Sequence, residues 1–233
     1  MHSSIVSQFA PAGYPAGDLT LEVFRQEGDH VVEGVLRAKD GRWIPIIDGV
    51  PSFLTGVLQL NLREFASKNN LPYQTTTARE AAAEQAKTNE TFSDKWKRFK
   101  RYGLEPEHED FLFGWYCKKF GLASREELKA FYSSRKRILE CGPGSGFNTK
   151  FMAENCPGQV VALDISAAAF TTFGNTRQLS NCSVVQADLM EAPFADGSFD
   201  FIIADGVLHH TPNTRAAVEA LYRKPSPGGP SFF

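Results

Sequence analysis

A repeated pattern of apolar strand, short turn and helix begins at Arg137. Its strand segments are RILEC, VVALDI, SVVQAD and FDFIIAD, and the helices between them span about 10 to 14 residues. The strands do not alternate apolar with polar residues, which is typical of strands that are buried on both faces. This order predicts an α/β fold in which helices cover both faces of a parallel sheet. Such sheets bind their ligands at the C-terminal ends of the strands.

A glycine-rich loop, ECGPGSG, directly follows the first of these strands and opens a helix. Gly142, Gly144 and Gly146 let the backbone turn tightly and let a ligand approach the peptide groups without a Cβ in between. A plain strand-to-helix turn uses the same residues, so the loop by itself is a weak indication of a ligand site.

Acidic residues stand at the ends of three successive predicted strands, as Glu140, Asp164 and Asp188. A carboxylate at the end of the second strand can accept hydrogen bonds from both hydroxyls of a ribose, as in nucleotide-binding folds of this class. Asp188 can accept a hydrogen bond from the exocyclic amine of an adenine. Each acid alone would more often cap a helix. Their joint occurrence favours a ligand that contains a nucleoside.

Residues 137–229 resemble the class I S-adenosylmethionine-dependent methyltransferases, through the ordered segments ILECGPGSG, VVALDIS, VVQADLMEAPFADGSFDFIIADGVLHH and YRKPSPGG. The resemblance implies a Rossmann-like sheet and S-adenosyl-L-methionine as the cofactor. It also implies a place for each matched residue: Glu140, Gly142, Gly144 and Gly146 beside the methionine part, Asp164 at the ribose, Ile165, Asp188 and Leu189 at the adenine, and Asp205 and Gly206 beside the sulfonium and the methyl acceptor.

A dinucleotide is the rival cofactor. The dinucleotide fingerprint is GxGxxG, whereas here the third glycine is Gly146 and Phe147 follows it, which gives GxGxG. A nicotinamide-dependent oxidoreductase also has no evident need for Asp188 or for a pair of histidines after the fourth strand. The sequence therefore favours S-adenosylmethionine over a dinucleotide.

The candidate catalytic residues are His209 and His210, just after the fourth strand. Methyl transfer from a sulfonium depends mainly on placement and desolvation, because the donor is already activated. A base is needed only where the acceptor must lose a proton, and a histidine, which titrates near neutral pH, can take that proton. The alternative role of both residues is loop packing or contact with substrate.

The first 56 residues divide into two predicted segments. Residues 1–17 contain two prolines and two glycines with little periodicity, which predicts a flexible leader. Residues 18–56 alternate short strands with turns and predict a small β appendage. Part of it, HVVEGVLRAKDGRWIPIIDGVPSFL, resembles the zinc-ribbon-like module that precedes some bacterial methyltransferases, but Ala38, Lys39 and Asp40 stand where its cysteine knuckle is expected. The four cysteines of the chain form no CxxC pair either, so no metal site is predicted.

Residues 77–134 are predicted to form a helical lead-in to a cofactor-binding core at 135–233, and together these make a methyltransferase domain at 77–233. The basic and aromatic stretch 95–102 is interpreted as an amphipathic helix with Trp96 and Phe99 facing the core, as a surface for single-stranded nucleic acid, or as a lid over the cofactor. The aromatic residues that follow are interpreted as core or as the lining of an acceptor pocket: Phe111, Phe113, Trp115, Tyr116, Phe120 and Phe131. The core interpretation is favoured in both cases.

Composition limits the partners. The 233 residues include 25 Lys and Arg against 27 Asp and Glu, a net charge of −2. This balance gives no field that would hold a polyanion, so it argues against nucleic acid and favours a small-molecule methyl acceptor. The sequence has no uniformly apolar stretch of about 18 residues and no signal-peptide pattern, so we expect a cytoplasmic protein without a membrane partner.

The family that the sequence resembles has a seven-stranded sheet, whereas this sequence stops at Phe233, within what would be the fifth strand. We therefore expect a C-terminally truncated sheet with an open edge, which a partner or a second copy in a homodimer would cover. The cofactor residues all precede the missing strands, but loops on the acceptor side would be lost. The alternative functions are therefore a cofactor-binding or interaction module without turnover, and methylation of RNA or protein.

Overall fold

The computed structural model describes residues 1–15, 17–58, 61–73 and 83–232, and within them the chain forms two β-sheets. The start of the predicted helical lead-in, residues 77–82, lies outside the described residues. No helix in these ranges is long and apolar enough to cross a membrane.

The N-terminal sheet consists of β1 (Thr20–Glu27), β2 (His30–Arg37), β3 (Trp43–Ile47) and β4 (Val50–Pro51). The strands are antiparallel and lie in chain order, as expected for a β appendage built from successive hairpins. Helix α1 (Arg63–Lys68) follows, and Leu62 and Ala66 pack there against Val35 and Trp43. The sheet thus buries one of its faces within the N-terminal part of the chain.

Residues 1–9 do not form part of a flexible leader, which the sequence predicts for residues 1–17. Ser3–Gln8 forms a 3-10 helix, and the side chains of Met1, Ile5 and Phe9 are buried. The amino group of Met1 donates a hydrogen bond to a carbonyl of β2 at 3.1 Å. The three apolar residues recur every four positions and join the main hydrophobic core. Three residues among prolines and glycines are too few to show as a periodic pattern in the sequence.

Three helices precede the second sheet: α2 (Ala83–Arg98), α3 (Pro106–Phe120) and α4 (Arg125–Ser133). Phe113, Phe120 and Phe131 pack in the core, as the favoured interpretation predicts. Phe111 and Trp115 are exposed instead, because they lie on the face of α3 that is turned away from that core.

The second sheet contains β5 (Arg137–Cys141), β6 (Gln159–Asp164), β7 (Cys182–Gln186), β8 (Phe201–Ile203) and β9 (Ser231–Phe232), with the helices α5 (Phe147–Asn155), α6 (Ala168–Thr176) and α7 (Thr214–Tyr222) between them. All of its strand pairs are parallel, and the order is β7-β6-β5-β8-β9. The order reverses between β5 and β8, and sheets of this kind bind ligands in the crevice at that switch point. The predicted Rossmann-like α/β fold is confirmed.

Both faces of the parallel sheet are covered. Ile138 and Val160 pack against α4 and α5, whereas Leu139 and Val161 face the opposite side, against α7 and the N-terminal sheet. Because successive side chains of a strand face opposite sides, a sheet covered in this way needs apolar residues at every position. This explains why the strand segments of the sequence do not alternate apolar with polar residues.

The N-terminal sheet continues into the parallel sheet at the β7 edge. Ser52 forms a parallel bridge with Gln186, and the backbone N–H of Phe53 donates to the Gln186 carbonyl at 2.8 Å. Beside this bridge, Val50 packs against Phe173 of α6. The chain therefore covers this edge itself, and β9 lies at the opposite edge. The expected homodimer finds no support in the described part of the chain.

Candidate functional site

A cavity of about 410 Å³ lies at the switch point of the parallel sheet. Its walls are formed by residues that follow β5, β6, β7 and β8 and by residues of α2. A volume of this size is typical of small-molecule sites. Seven of the ten cofactor residues predicted from the sequence line it: Gly142, Asp164, Ile165, Asp188, Leu189, Asp205 and Gly206.

The glycine loop after β5 has positive φ angles, which favour glycine. The φ angle is +71° at Gly142, +61° at Gly144 and +83° at Gly146. A Cβ at Gly142 would lie 2.3 Å from Cγ2 of Val207, and one at Gly144 would lie 2.5 Å from the Trp96 ring. Both conformation and space therefore require glycine at these two positions. Of the three, Gly142 lines the cavity, Gly144 is covered by Trp96, and Gly146 is the N-cap of α5.

Glu140 is buried, but it is not part of the cavity wall. Its carboxylate accepts hydrogen bonds from Nδ2 of Asn148, at 3.0 Å, and from the hydroxyl of Thr149. Burial raises the pKa of Glu140 to about 7, although these two hydrogen bonds oppose the rise. The carboxylate thus joins the end of β5 to the first turn of α5. Its contact with the methionine part of a cofactor stays a prediction from the resemblance.

Asp164, the last residue of β6, lines the cavity and is held in a defined orientation. The backbone N–H and the hydroxyl of Ser166 both donate to its Oδ1, at 2.8 and 2.7 Å. Burial raises the pKa of Asp164 to about 6, while hydrogen bonds from Ser166 and from the Gly144 backbone act in the opposite direction. The group is therefore ionised at pH 7 to 8, and an oriented carboxylate can accept hydrogen bonds from two neighbouring hydroxyls.

A second acid and two apolar residues lie in the same cavity. Asp188 follows β7, and its Oδ1 accepts a hydrogen bond from the backbone N–H of Met190 at 2.9 Å. Ile165 and Leu189, which follow the two acids in sequence, add apolar surface to the wall. Adenosine requires acceptors for ribose hydroxyls and for an amino group, together with apolar contacts for a flat ring. The residues present therefore fit the predicted cofactor.

Asp205 and Gly206, after β8, line another part of the wall. Asp205 forms an ion pair with Lys119 of α3, and the Lys119 ammonium lies 5.1 Å from the centroid of the Trp115 ring. Sequence reasoning misses Lys119, because nothing in the pattern of α3 connects it with a residue 86 positions away. The ion pair brings a positive charge to the C-terminal end of β8.

Helix α2 forms one wall of the cavity. The Trp96 ring packs over Gly144, and the backbone carbonyl of Trp96 accepts a hydrogen bond from the Thr171 hydroxyl of α6 at 3.3 Å. One turn earlier, the hydroxyl oxygen of Ser93 accepts a hydrogen bond from the backbone at the start of α6, at 3.0 Å. These contacts fix α2 against α6 and the glycine loop, and its function as a lid stays a prediction.

The basic and aromatic stretch 95–102 divides where α2 ends, at Arg98. Trp96, before that point, lines the cavity. Phe99, after it, is 57% exposed, so the expectation that it faces the core is wrong. A spacing of three residues places two side chains on one face only while the helix continues.

His210 lines the cavity, whereas His209 is not part of its wall. The two ring centroids are 3.9 Å apart, and the His210 ring lies 4.8 Å from that of Phe92 in α2. Desolvation, followed by the charges of His209 and Lys95, lowers the pKa of His210. Its ring is therefore neutral at pH 7 and carries a nitrogen that can accept a proton.

The segment that contains this site is similar to known proteins. Residues 139–233 match the family model described as "Methyltransferase domain". A malonyl-[acyl-carrier protein] O-methyltransferase of Legionella pneumophila is 33% identical over 97 residues, which cover 40% of this chain and 33% of that protein. A ubiquinone/menaquinone biosynthesis C-methyltransferase of Haemophilus ducreyi is 30% identical over 102 residues, which cover 40% and 39%. The chain spans less than half the length of these relatives.

A solved structure with a similar fold is the N-methyltransferase NodS of Bradyrhizobium japonicum in complex with S-adenosyl-L-homocysteine. The TM-score is 0.48 at 19% sequence identity, and the match covers 62% of this chain and 71% of that chain.

The matched segment, residues 139–233, contains all ten predicted cofactor residues and both histidines. It begins inside β5 and extends to the end of the chain, so it covers the parallel sheet and the cavity at its switch point. The comparisons therefore show that residues 139–233 are similar to a methyltransferase domain.

Proposed function

We propose that this chain binds S-adenosyl-L-methionine in the cavity beneath α2 and transfers its methyl group to a small-molecule acceptor. The observation that carries the proposal is the placement of Asp164. Its oriented carboxylate ends β6 in the wall of a cavity to which the glycine loop contributes Gly142. This is the arrangement in which doubly wound sheets bind the ribose of a nucleoside.

Within this proposal, each part of the wall binds one part of the cofactor. Asp164 accepts hydrogen bonds from the ribose hydroxyls, Asp188 accepts one from the amino group of the adenine, and Ile165 and Leu189 flank the ring. The backbone at Gly142, the glycine of the loop that lines the cavity, holds the methionine part. When bound, S-adenosyl-L-methionine supplies a methyl group that its sulfonium has already activated. The protein then contributes placement and exclusion of water, which α2 provides on the open side.

His210 is the residue to which we assign proton transfer. Its neutral ring in the cavity wall can take the proton that an acceptor hydroxyl or amine loses as its oxygen or nitrogen bonds to the methyl group. His209, whose ring lies beside that of His210, contributes by packing. An acceptor without a proton to lose needs neither histidine.

The acceptor is proposed to be a small organic molecule. The net charge of −2 provides no attraction for nucleic acid. The two relatives are named as an O-methyltransferase and a C-methyltransferase, so the atom that receives the methyl group differs between them. Asp205, which the resemblance places beside the acceptor, lines the cavity and forms the ion pair with Lys119.

Calorimetric titration with S-adenosylmethionine, S-adenosylhomocysteine and NAD tests cofactor binding. We expect the protein to bind the two adenosyl ligands, and the Asp164→Ala variant to bind them about 10- to 150-fold more weakly, because a charge-assisted hydrogen-bonding group is lost. Asp196→Ala, at an exposed position, controls for the change in charge. Binding of NAD in preference to the adenosyl ligands, or equal affinities for wild type and Asp164→Ala, would contradict the proposal.

Radioactive methyl transfer then tests the acceptor class. Label from S-adenosylmethionine should enter small molecules of a metabolite extract. Label that enters RNA or protein instead would establish one of the alternative acceptors. Binding of the adenosyl ligands without transfer to any of the three fractions would establish a binding module.

A further inference from the structure

A series of buried hydrogen bonds connects the N-terminal sheet with Asp164. The hydroxyl of Ser52 donates to Oε1 of Gln186 at 2.8 Å, and Nε2 of Gln186 donates to the carbonyl of Ser166 at 3.3 Å. Ser166 in turn donates twice to Oδ1 of Asp164. All four residues are buried, with at most 8% of their surface exposed. Buried polar groups in such a series fix each other's positions.

The chemistry of these groups allows one orientation of the Gln186 amide. The carbonyl of Ser166 can only accept, so the amide nitrogen of Gln186 must face it. The amide oxygen then faces Ser52, whose hydroxyl must donate. Ser52 therefore fixes the direction in which Gln186 donates towards the turn after β6.

Backbone pairing places these residues side by side. Asp164 and Gln186 are direct partners in the parallel pair of β6 and β7, and Ser52 bridges Gln186 from the other side. Close packing holds the N-terminal sheet in this position, because a Cβ at Gly49 would lie 2.3 Å from the ring of Phe173 in α6. The N-terminal sheet therefore contacts β7, the strand that pairs with β6, and α6, the helix that follows the Ser166 turn.

We propose that Gln186 is a positioning residue for Asp164, and that the N-terminal sheet holds Gln186 in place through Ser52. Gln186 is not part of the cavity wall, so it acts through Ser166 and Asp164 and not by contact with the ligand. The proposal rests on the proposed function, since it takes Asp164 to bind a ribose. It gives the N-terminal sheet a part in cofactor binding.

The test measures the affinity for S-adenosylhomocysteine in a double-mutant cycle. We expect Gln186→Leu to weaken binding by about threefold to tenfold, the effect of losing one buried hydrogen bond, and Ser52→Ala by a smaller factor. In the Asp164→Asn background, Gln186→Leu should change the affinity by less than about twofold, because two residues that act as one unit are not additive. Ser183→Ala removes a buried hydroxyl of the same strand β7 and should leave binding unchanged.

A ribose-specific measurement separates positioning from general damage to the fold. An analogue of S-adenosylhomocysteine without the 2′ and 3′ hydroxyls should bind equally to wild type and to Gln186→Leu. Thermal unfolding of each variant establishes that it is folded. If Gln186→Leu does not fold, Ser52→Ala, which removes one oxygen of a residue outside the cavity wall, is measured in the same cycle.

The outcomes distinguish this inference from the proposed function. If Asp164→Asn weakens binding but Gln186→Leu and Ser52→Ala do not, the inference is overturned and the proposed function stands. Additive losses in the double variant, or an equal loss of affinity for the analogue without ribose hydroxyls, also overturn it. If folded wild type does not bind S-adenosylhomocysteine, or if Asp164→Asn has no effect, the proposed function fails and the inference fails with it.

Discussion

At the scale of single residues, two buried carboxylates at the ends of neighbouring strands have different surroundings. The carboxylate of Glu140 accepts hydrogen bonds from two side chains of α5, whereas that of Asp164 is held by the turn that follows it and lines the cavity. Burial raises the pKa of both groups, to about 7 and about 6. The same physical cause therefore acts on an acid that joins β5 to α5 and on the acid that we assign to the ribose.

The raised pKa of Asp164 predicts a pH dependence of ligand affinity. Ribose hydroxyls donate to the ionised carboxylate, so binding requires the proton to be absent. Affinity for S-adenosylhomocysteine should be constant above pH 7 and should fall as the pH decreases through about 6, to roughly one tenth of its value at pH 5. Calorimetry between pH 5 and pH 8 measures this.

The Asp164→Asn variant is the control for that experiment, because its side chain does not titrate. Its affinity should be lower than that of wild type at pH 7.5 and should not fall further at pH 5. A parallel decrease in both proteins would assign the pH dependence to another group.

The residues at the ends of the strands were predictable, whereas some contacts of their side chains were not. Asp164 and Asp188 were found because strand ends of a parallel sheet meet at one edge. Glu140 also ends a strand, but whether its carboxylate faces the cavity or α5 depends on Asn148 and Thr149 in the following helix. Lys119 had no local signal, because its partner is distant in sequence.

At the scale of elements, α2 is the part of the site for which the sequence allowed several interpretations. Its contacts with α6 and with the glycine loop make it one wall of the cavity. The composition of 95–102 is compatible with a core helix, a nucleic-acid surface and a lid. The tertiary contacts of Trp96 add that its ring packs on the glycine loop. Propensity and periodicity describe a helix, but they do not say which element it packs against.

Truncation of Trp96 should open the cavity. We expect Trp96→Ala to increase the dissociation rate of S-adenosylhomocysteine by about tenfold, because the ring that covers Gly144 is lost while the acids that bind the nucleoside remain. Phe99→Ala, at an exposed aromatic position just beyond the helix, should leave the rate unchanged. Surface plasmon resonance gives both rates, and equal values for Trp96→Ala and wild type would contradict the role of α2 as a lid.

At the scale of the whole molecule, the N-terminal residues are part of the same hydrophobic core as the parallel sheet. Met1, Ile5 and Phe9 join residues of the N-terminal sheet and of β5 to β8 in one cluster. The sequence suggests a leader, an appendage and a methyltransferase domain, but all three segments contribute to one hydrophobic core. The single core results from long-range packing of a few apolar residues. In a short segment, so few residues form no periodic pattern that the sequence could reveal.

Removal of the Phe9 side chain should destabilise the whole fold. Its ring lies 4.9 Å from that of Phe53 and 5.7 Å from that of Phe194, so Phe9→Ala leaves a cavity in the core and should lower the free energy of unfolding by about 3 kcal/mol. Ser4→Ala, at an exposed position of the same segment, is the matched control. Urea unfolding measures the difference, and a flexible leader would give the same free energy for Phe9→Ala and wild type.

The most direct test of the central claim is a crystal structure of this protein with S-adenosylhomocysteine. Our account places the ligand in the cavity beneath α2, with the Asp164 carboxylate hydrogen-bonded to both ribose hydroxyls and the adenine between Ile165 and Leu189. A ligand bound elsewhere, or one whose ribose does not contact Asp164, would contradict it.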